Sequence, residues 1–261
     1  MISMVFWSIS PAILIVAYFF LRDRFKEPPR IVVYTFVLGV LSIIPISFLN
    51  IYLDLYGDSL NTSYFAKEFY FSVLRAAFHE ELYKFLILIY FCSRHTDFNE
   101  PMDAIVYGVA VSLGFSAYEN VEYVFAHLDF GYTWQEMAAV RILPTIMHGI
   151  NGVIMGLLLS KVIFINRDHT RLILAFLVPV FFHGIYNLLI TFLPGLSILL
   201  VLIIVIYILV SVRKMRKLQE YKIIESEIKE TVNHAIIFQS IFLTLLLVIL
   251  SVAMFINIGI N

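Results

Sequence analysis

Eight apolar segments, each long enough to cross a lipid bilayer, constrain this chain more than any other feature of its sequence. About 20 mostly apolar residues cross the hydrocarbon core as a helix, and the backbone polar groups inside lipid must be satisfied within that helix. The segments cover residues 5–21, 31–53, 71–92, 102–125, 137–165, 172–193, 196–212 and 235–258. The pattern predicts an all-α polytopic membrane protein with about eight transmembrane helices.

Composition supports this class and excludes others. The chain is 61% hydrophobic and 14% charged, whereas an average soluble domain is about 45–50% apolar and ~25% charged. A net charge of −1 without a sizeable basic patch argues against nucleic acid as a partner. Cys92 is the only cysteine, which excludes an intrachain disulfide and a cysteine-based zinc cluster.

Basic residues alternate between the loops and predict the orientation of the chain. They cluster after the first, fifth and seventh segments, and the intervening loops carry almost none. Because basic loops stay in the cytoplasm, both termini are expected to be extracytoplasmic. Residues 1–212 are expected to form one membrane-embedded core, and 213–261 a charged cytoplasmic segment followed by an additional transmembrane helix.

Glu80, Glu81 and Lys84 form a cluster of ionisable residues inside the third segment. Each costs at least ~2.5–3.5 kcal/mol at the centre of a membrane helix, so such residues usually have a function. Helical spacing places Glu80 and Lys84 on one face, four residues apart. Lys84 neutralising Glu80 as a structural pair is the alternative, but Glu81 then remains as an excess carboxylate.

Further polar residues occur at a similar depth in three other segments. Glu119, His148 and His183 lie about 9–16 Å from the predicted outer ends of their segments, at ~1.5 Å per residue. Asn187 follows His183 by four residues and shares its face. A solvated helix-end acid and ordinary core histidines are the alternatives. The common depth instead favours one site formed by helices three to six.

Four motifs resemble the PrsW family of intramembrane proteases, which is related to the CAAX prenyl proteases and the Abi group. They are Glu80-Glu81-x-x-Lys84, Phe115-x-x-x-Glu119-Asn120, His148 four residues after Pro144, and His183-Gly-x-Tyr-Asn187. The resemblance extends to about Val212, and the eighth segment looks like an addition. Members often carry Asp at the position of Asn187. An asparagine there is suited to donating a hydrogen bond but cannot act as a base.

The resemblance implies a multi-pass protease of the bacterial plasma membrane. It implies an endopeptidase that hydrolyses a membrane-anchored protein, an anti-sigma factor, making the first cut near the extracytoplasmic face. Peptide hydrolysis needs an activated water, a general base and stabilisation of the oxyanion. Glu80 is the predicted base, and Glu81 and Lys84 would position and tune it. His183 and Asn187 are suited to bracketing the oxyanion, or His183 to binding a metal.

A zinc ion is the predicted cofactor. Catalytic zinc often takes two histidines and one carboxylate, and Glu119, His148 and His183 can supply that set. The alternative is a mechanism through glutamate and histidine alone, as argued for the CAAX-type relatives, because no local His-Glu-x-x-His spacing is present.

Two other functions would also bury acids and histidines. A proton- or cation-coupled transporter would do so near the midplane, but the sequence shows no repeat symmetry or paired broken helices. A catalytically dead sensor or scaffold is the second alternative.

Overall fold

A computed structural model of the protein describes residues 1–166 and 171–219, and this part of the chain is helical without any strand. Its α-helices are α1 (Ile2–Arg22), α2 (Pro29–Leu41), α3 (Ile43–Ser59), α4 (Tyr64–Phe69), α5 (His79–Tyr90), α6 (Pro101–Leu128), α7 (Trp134–Val140), α8 (Ile142–Ser160), α9 (Leu172–Phe192) and α10 (Pro194–Leu218). A π-helical segment, Tyr70–Phe78, joins α4 to α5, and a second, Lys161–Asn166, follows α8.

Five helical runs in the described residues are long and apolar enough to cross a membrane. They are Ile2–Arg22, Pro29–Ser59, Trp134–Ile165, Leu172–Phe192 and Pro194–Lys217. The third and fourth predicted segments are also helical but are not among these five, because they are less apolar. The segment 235–258 lies outside the described residues. The all-helical membrane fold is therefore confirmed, and the count of eight stays a prediction.

Helix α6 occupies the centre of the bundle. Its residues from Pro101 to Ala117 are all buried, and it packs against α1, α2 and α8. Glycines make these approaches possible: a Cβ atom at Gly152 of α8 would overlap the carbonyl oxygen of Gly108 in α6. Small residues allow the backbones of transmembrane helices to approach closely. In lipid, packing rather than the hydrophobic effect drives the association of helices.

A cluster of buried acids closes one end of the bundle. Carboxylate oxygens of Asp23, Glu27 and Asp103 lie within 4.8 Å of one another. The Tyr107 hydroxyl donates a hydrogen bond to Glu27, and burial raises the pKa of Glu27 to about 7. The Gln219 amide donates to Asp23 at 2.6 Å. Because Asp23 directly follows α1 and Gln219 directly follows α10, these two helices end at the same end of the bundle.

We predict that Gly152→Ala destabilises the protein by about 1–3 kcal/mol, since overpacking forces backbone shifts at the contact between α6 and α8. Gly149→Ala in the same helix is the matched control, because its Cβ atom would lie 3.6 Å from the nearest neighbour, Ile15. Alanine there should be neutral or slightly stabilising. Thermal unfolding of both purified variants in detergent measures the difference. Equal unfolding temperatures would show that the α6–α8 approach is not tight.

Candidate active site

The first two turns of α5 carry three of the predicted site residues, Glu80, Glu81 and Lys84, into the interior. The π-helical segment ends at Phe78 and α5 begins at the next residue. Glu81 and Lys84 are fully buried, and Glu80 is 9% exposed. π-Helical turns are frequent at functional sites. Three buried charges within two turns of one helix require partners from other helices.

Lys84 is the buried cation at the centre of this group. Its Nζ atom donates to Glu81 Oε1 at 2.8 Å and to His148 Nδ1 at 3.1 Å, and it lies 4.4 Å from the centroid of the Phe115 ring. Glu80 Oε2 is more distant, at 3.8 Å. The sequence predicted that Lys84 pairs with Glu80, but Lys84 lies closer to Glu81, three residues away. The contacts with His148 and Phe115 hold the ammonium group in this position.

Each of the two histidines contacts a carboxylate through one ring nitrogen. His183 Nδ1 lies 2.9 Å from Glu81 Oε1, and His148 Nε2 lies 2.9 Å from Glu119 Oε2. An ionised carboxylate only accepts hydrogen bonds, so these contacts assign the N–H to those nitrogens. The lone pairs then lie on His183 Nε2, which is 3.8 Å from Glu80 Oε2, and on His148 Nδ1. The two rings are 5.0 Å apart.

Glu80, His148 and His183 can offer one ligand atom each, with all three atoms within 4.8 Å of one another. They come from α5, α8 and α9, and all three are buried. Glu80 Oε2 is buried without a hydrogen-bond partner in the described structure. Two histidines and one carboxylate form a common catalytic zinc site, so these residues fit a zinc ion. The group differs from the predicted set because Glu80 takes the place of Glu119.

Glu119 is instead held at the edge of the group. Arg141 Nη2 donates to Glu119 Oε2 at 2.5 Å, and Arg141 Nε donates to Asn120 Oδ1 at 2.9 Å. The Asn120 amide donates in turn to Thr145 Oγ1 at 2.8 Å and to the Ser8 carbonyl at 3.0 Å. The Glu119 side chain is 30% exposed, which gives it access to water. This network fixes the direction of the Glu119 carboxylate.

Arg141 is a site residue that the sequence reasoning missed. It is the residue between α7 and α8 and is 8% exposed. Pro144 follows it by three residues, and a proline lacks the N–H that would continue the hydrogen-bonding pattern into α7. An arginine within the apolar segment 137–165 was the available signal, because a charge there needs a partner.

Asn187 lies one helical turn after His183 but contacts a different part of the bundle. Its amide nitrogen donates to the Ser72 carbonyl in the π-helical segment, at 3.4 Å. π-Helical hydrogen bonding displaces backbone carbonyls from their usual partners. The observed contact of Asn187 therefore joins α9 to the helix that carries Glu80, and its catalytic role stays a prediction.

Comparisons with known proteins identify the family of the chain. The family described as PrsW family intramembrane metalloprotease matches residues 27–212. Protease PrsW of Bacillus subtilis (strain 168) is 36% identical over 196 residues, covering 73% of this chain and 84% of the relative. Protease PrsW of Geobacillus kaustophilus (strain HTA426) is 34% identical over 190 residues, covering 72% and 79% respectively. Protease PrsW of Oceanobacillus iheyensis is 29% identical over 228 residues, covering 86% and 100%. No solved structure gives a significant match.

We predict that Lys84→Met destabilises the protein by about 3–5 kcal/mol, because it removes the cation from a buried group of carboxylates. Adding Glu81→Gln to that variant should recover part of the loss, since no fully buried charge then faces the methionine. Lys67→Met is the matched control: its salt bridge with Asp58 is partly exposed and is worth about 0–1 kcal/mol. Thermal unfolding in detergent distinguishes them, and an equal effect of both single variants would contradict the central role of Lys84.

Proposed function

We propose, on the premise that the chain belongs to the PrsW family of intramembrane metalloproteases, that Glu80, His148 and His183 form its peptide-hydrolysing centre. The protein is a multi-pass membrane protease whose substrate is a membrane protein. The observation that carries the proposal is the meeting of ligand atoms from three buried residues of three helices within 4.8 Å.

In this proposal Glu80, His148 and His183 would hold a zinc ion, and His148 Nδ1 would bind it in place of the hydrogen bond from Lys84. When bound there, zinc would supply Lewis acidity, which polarises a carbonyl oxygen and makes water more acidic. Glu81 and Glu119 orient the two histidines by accepting the N–H of His183 Nδ1 and of His148 Nε2. Carboxylates that contact metal-binding histidines in this way commonly fix the tautomer and raise the basicity of the ligand.

Glu119 is the proposed proton acceptor. The sequence predicted Glu80 as the base and Glu119 as a metal ligand, so the proposal exchanges these two roles. A general base must reach water within hydrogen-bonding distance, and Glu119 is the most exposed carboxylate of the group, at 30% against 11% for Glu80 and none for Glu81. Glu119 would take a proton from the attacking water and give it to the leaving amine. Arg141 would hold the carboxylate in place through both steps.

Lys84 is the proposed source of positive charge for the developing oxyanion. Its ammonium group is fully buried, and a fixed charge in a water-excluded site acts more strongly than the same charge in water. Asn187 is proposed to support the site by keeping α9 against the π-helical segment. The proposed catalytic core is thus formed by α5, α6, α8 and α9, which correspond to predicted helices three to six.

The orientation of the protein is proposed from its basic residues. The ends of α1 and α10 lie together and carry many of them, including Arg22, Arg24, Arg213 and Lys217, which supports a cytoplasmic location for that end. Both termini would then be extracytoplasmic, and residues 213–261 would add a charged segment and a further transmembrane helix to the core of 1–212. The site would lie toward the opposite, extracytoplasmic face.

We propose that the substrate is a single-span anti-sigma factor. The protein would make the first of its cleavages, near the extracytoplasmic face. The resemblance of the four motifs supports this substrate class, and the predicted depth of the site supports the side. The membership of the chain in a protease family does not favour the transporter alternative, and the complete Glu–His–His group does not favour the dead-site alternative.

We predict that Glu80→Gln and Glu119→Gln each reduce cleavage at least about 100-fold, because the first removes a proposed zinc ligand and the second removes a proton acceptor worth roughly 10²–10⁴ in rate. Glu122→Gln, also on α6 but exposed, is the matched control and should cleave normally. The measurement is the appearance of the cut extracytoplasmic domain when each variant is reconstituted in vesicles with single-span anti-sigma factors. Normal cleavage by Glu80→Gln would reject the proposed centre.

A further inference from the structure

Two adjoining cavities lie where the ends of α1 and α10 meet, at the end of the bundle proposed to face the cytoplasm. The larger has a volume of about 630 Å³ and is lined by Arg24, Arg213, Arg216, Lys217 and Gln219. The smaller, of about 70 Å³, shares Arg213 and Arg216 with it and also includes Arg22. Its other lining residues are apolar or aromatic, among them Phe19, Leu209 and Val212.

The charge of these cavities has one sign. Five basic side chains line the pair, and none of the described residues lining either cavity is acidic. The nearby carboxylate of Asp23 interacts electrostatically with Arg216, but it is a single carboxylate beside five basic side chains. A surplus of positive charge therefore remains in a concave site, where it attracts an anion.

Arg216 has unused hydrogen-bonding capacity at this point. Its Nε atom is buried and has no hydrogen-bond partner in the described structure. Leaving a buried donor unsatisfied costs about 1–3 kcal/mol, and more for a charged group. A phosphate oxygen in the cavity would satisfy this donor, because arginine matches phosphate geometry particularly well.

We propose that the two cavities form a binding site for an anionic phospholipid. The phosphate headgroup would occupy the basic cavity, and the first part of an acyl chain would lie in the apolar groove between α1 and α10. Basic pockets between transmembrane helices on the cytoplasmic side are suited to anionic lipid headgroups. The lining of the smaller cavity favours a lipid over a free phosphate. Next to the basic cavity, Phe19, Leu209 and Val212 form an apolar surface that an acyl chain can contact.

The test measures the binding of dioleoyl phosphatidylglycerol to the full-length protein in detergent by native mass spectrometry. Dioleoyl phosphatidylcholine is the neutral comparison. Arg213→Gln together with Lys217→Gln should weaken phosphatidylglycerol binding roughly thirtyfold, since each basic residue facing an anionic lipid contributes measurably to affinity. Both side chains are exposed, so these changes leave the packed interior intact.

Two further variants separate this site from general surface charge. Lys26→Gln together with Arg30→Gln removes two exposed basic residues near the end of α1 that line neither cavity, and it should leave binding unchanged. Leu209→Trp removes no charge but fills the apolar groove, and it should also weaken binding of the lipid.

Three results would overturn the proposal. Equal loss of binding in the two double variants would reduce the effect to general surface charge. Equal binding of phosphatidylglycerol and phosphatidylcholine would remove the role of the headgroup charge. Displacement of the lipid by glycerol 3-phosphate or by an acidic peptide at a similar concentration, with no effect of Leu209→Trp, would assign the cavity to a soluble anion or a protein partner instead.

Discussion

The buried ammonium group of Lys84 is the interaction on which the rest of the site depends. Glu80 and Glu81 are adjacent carboxylates within an apolar bundle, and burying them without a cation would cost several kcal/mol each. Lys84 compensates them, 2.8 Å from Glu81 and 3.8 Å from Glu80. It also contacts His148 of α8, so the charge that allows α5 to be buried also fixes where α8 lies against it.

Two carboxylates give the histidines defined directions. Glu81 contacts His183, and Glu119 contacts His148, each at 2.9 Å. The lone pair of His183 Nε2 then lies 3.8 Å from Glu80 Oε2, and that of His148 Nδ1 accepts a hydrogen bond from Lys84. Because Glu119 is itself held by Arg141, the direction of His148 depends on the break between α7 and α8. The site is consequently a property of how four helices pack, and the close approach of α6 to α8 at Gly152 forms part of its support.

The sequence predicted much of this fold because lipid permits few solutions: apolar segments of sufficient length must be helices, and buried charges mark a site. It placed Glu80, Glu81, Lys84, His148 and His183 in one group before their contacts were known. It did not predict which acid contacts which base. Both Glu80 and Glu81 are neighbours of Lys84 on a helix, and the choice is made by side chains of α6 and α8 that lie far away in the chain. The proposed exchange of roles between Glu80 and Glu119 has the same origin, since it depends on the contact of Glu119 with Arg141.

The zinc content of purified protein tests the central claim most directly. After dialysis against a buffer with trace zinc, the wild type should retain about one zinc ion per chain, as expected for a three-residue catalytic site. Glu119→Gln should still bind zinc at saturating concentration, with affinity reduced about 10–100-fold, whereas Glu80→Gln should lose it. Full proteolytic activity of wild-type protein after a strong chelator, with under roughly a tenth of an equivalent of transition metal left, would contradict the account and leave a mechanism through glutamate and histidine alone.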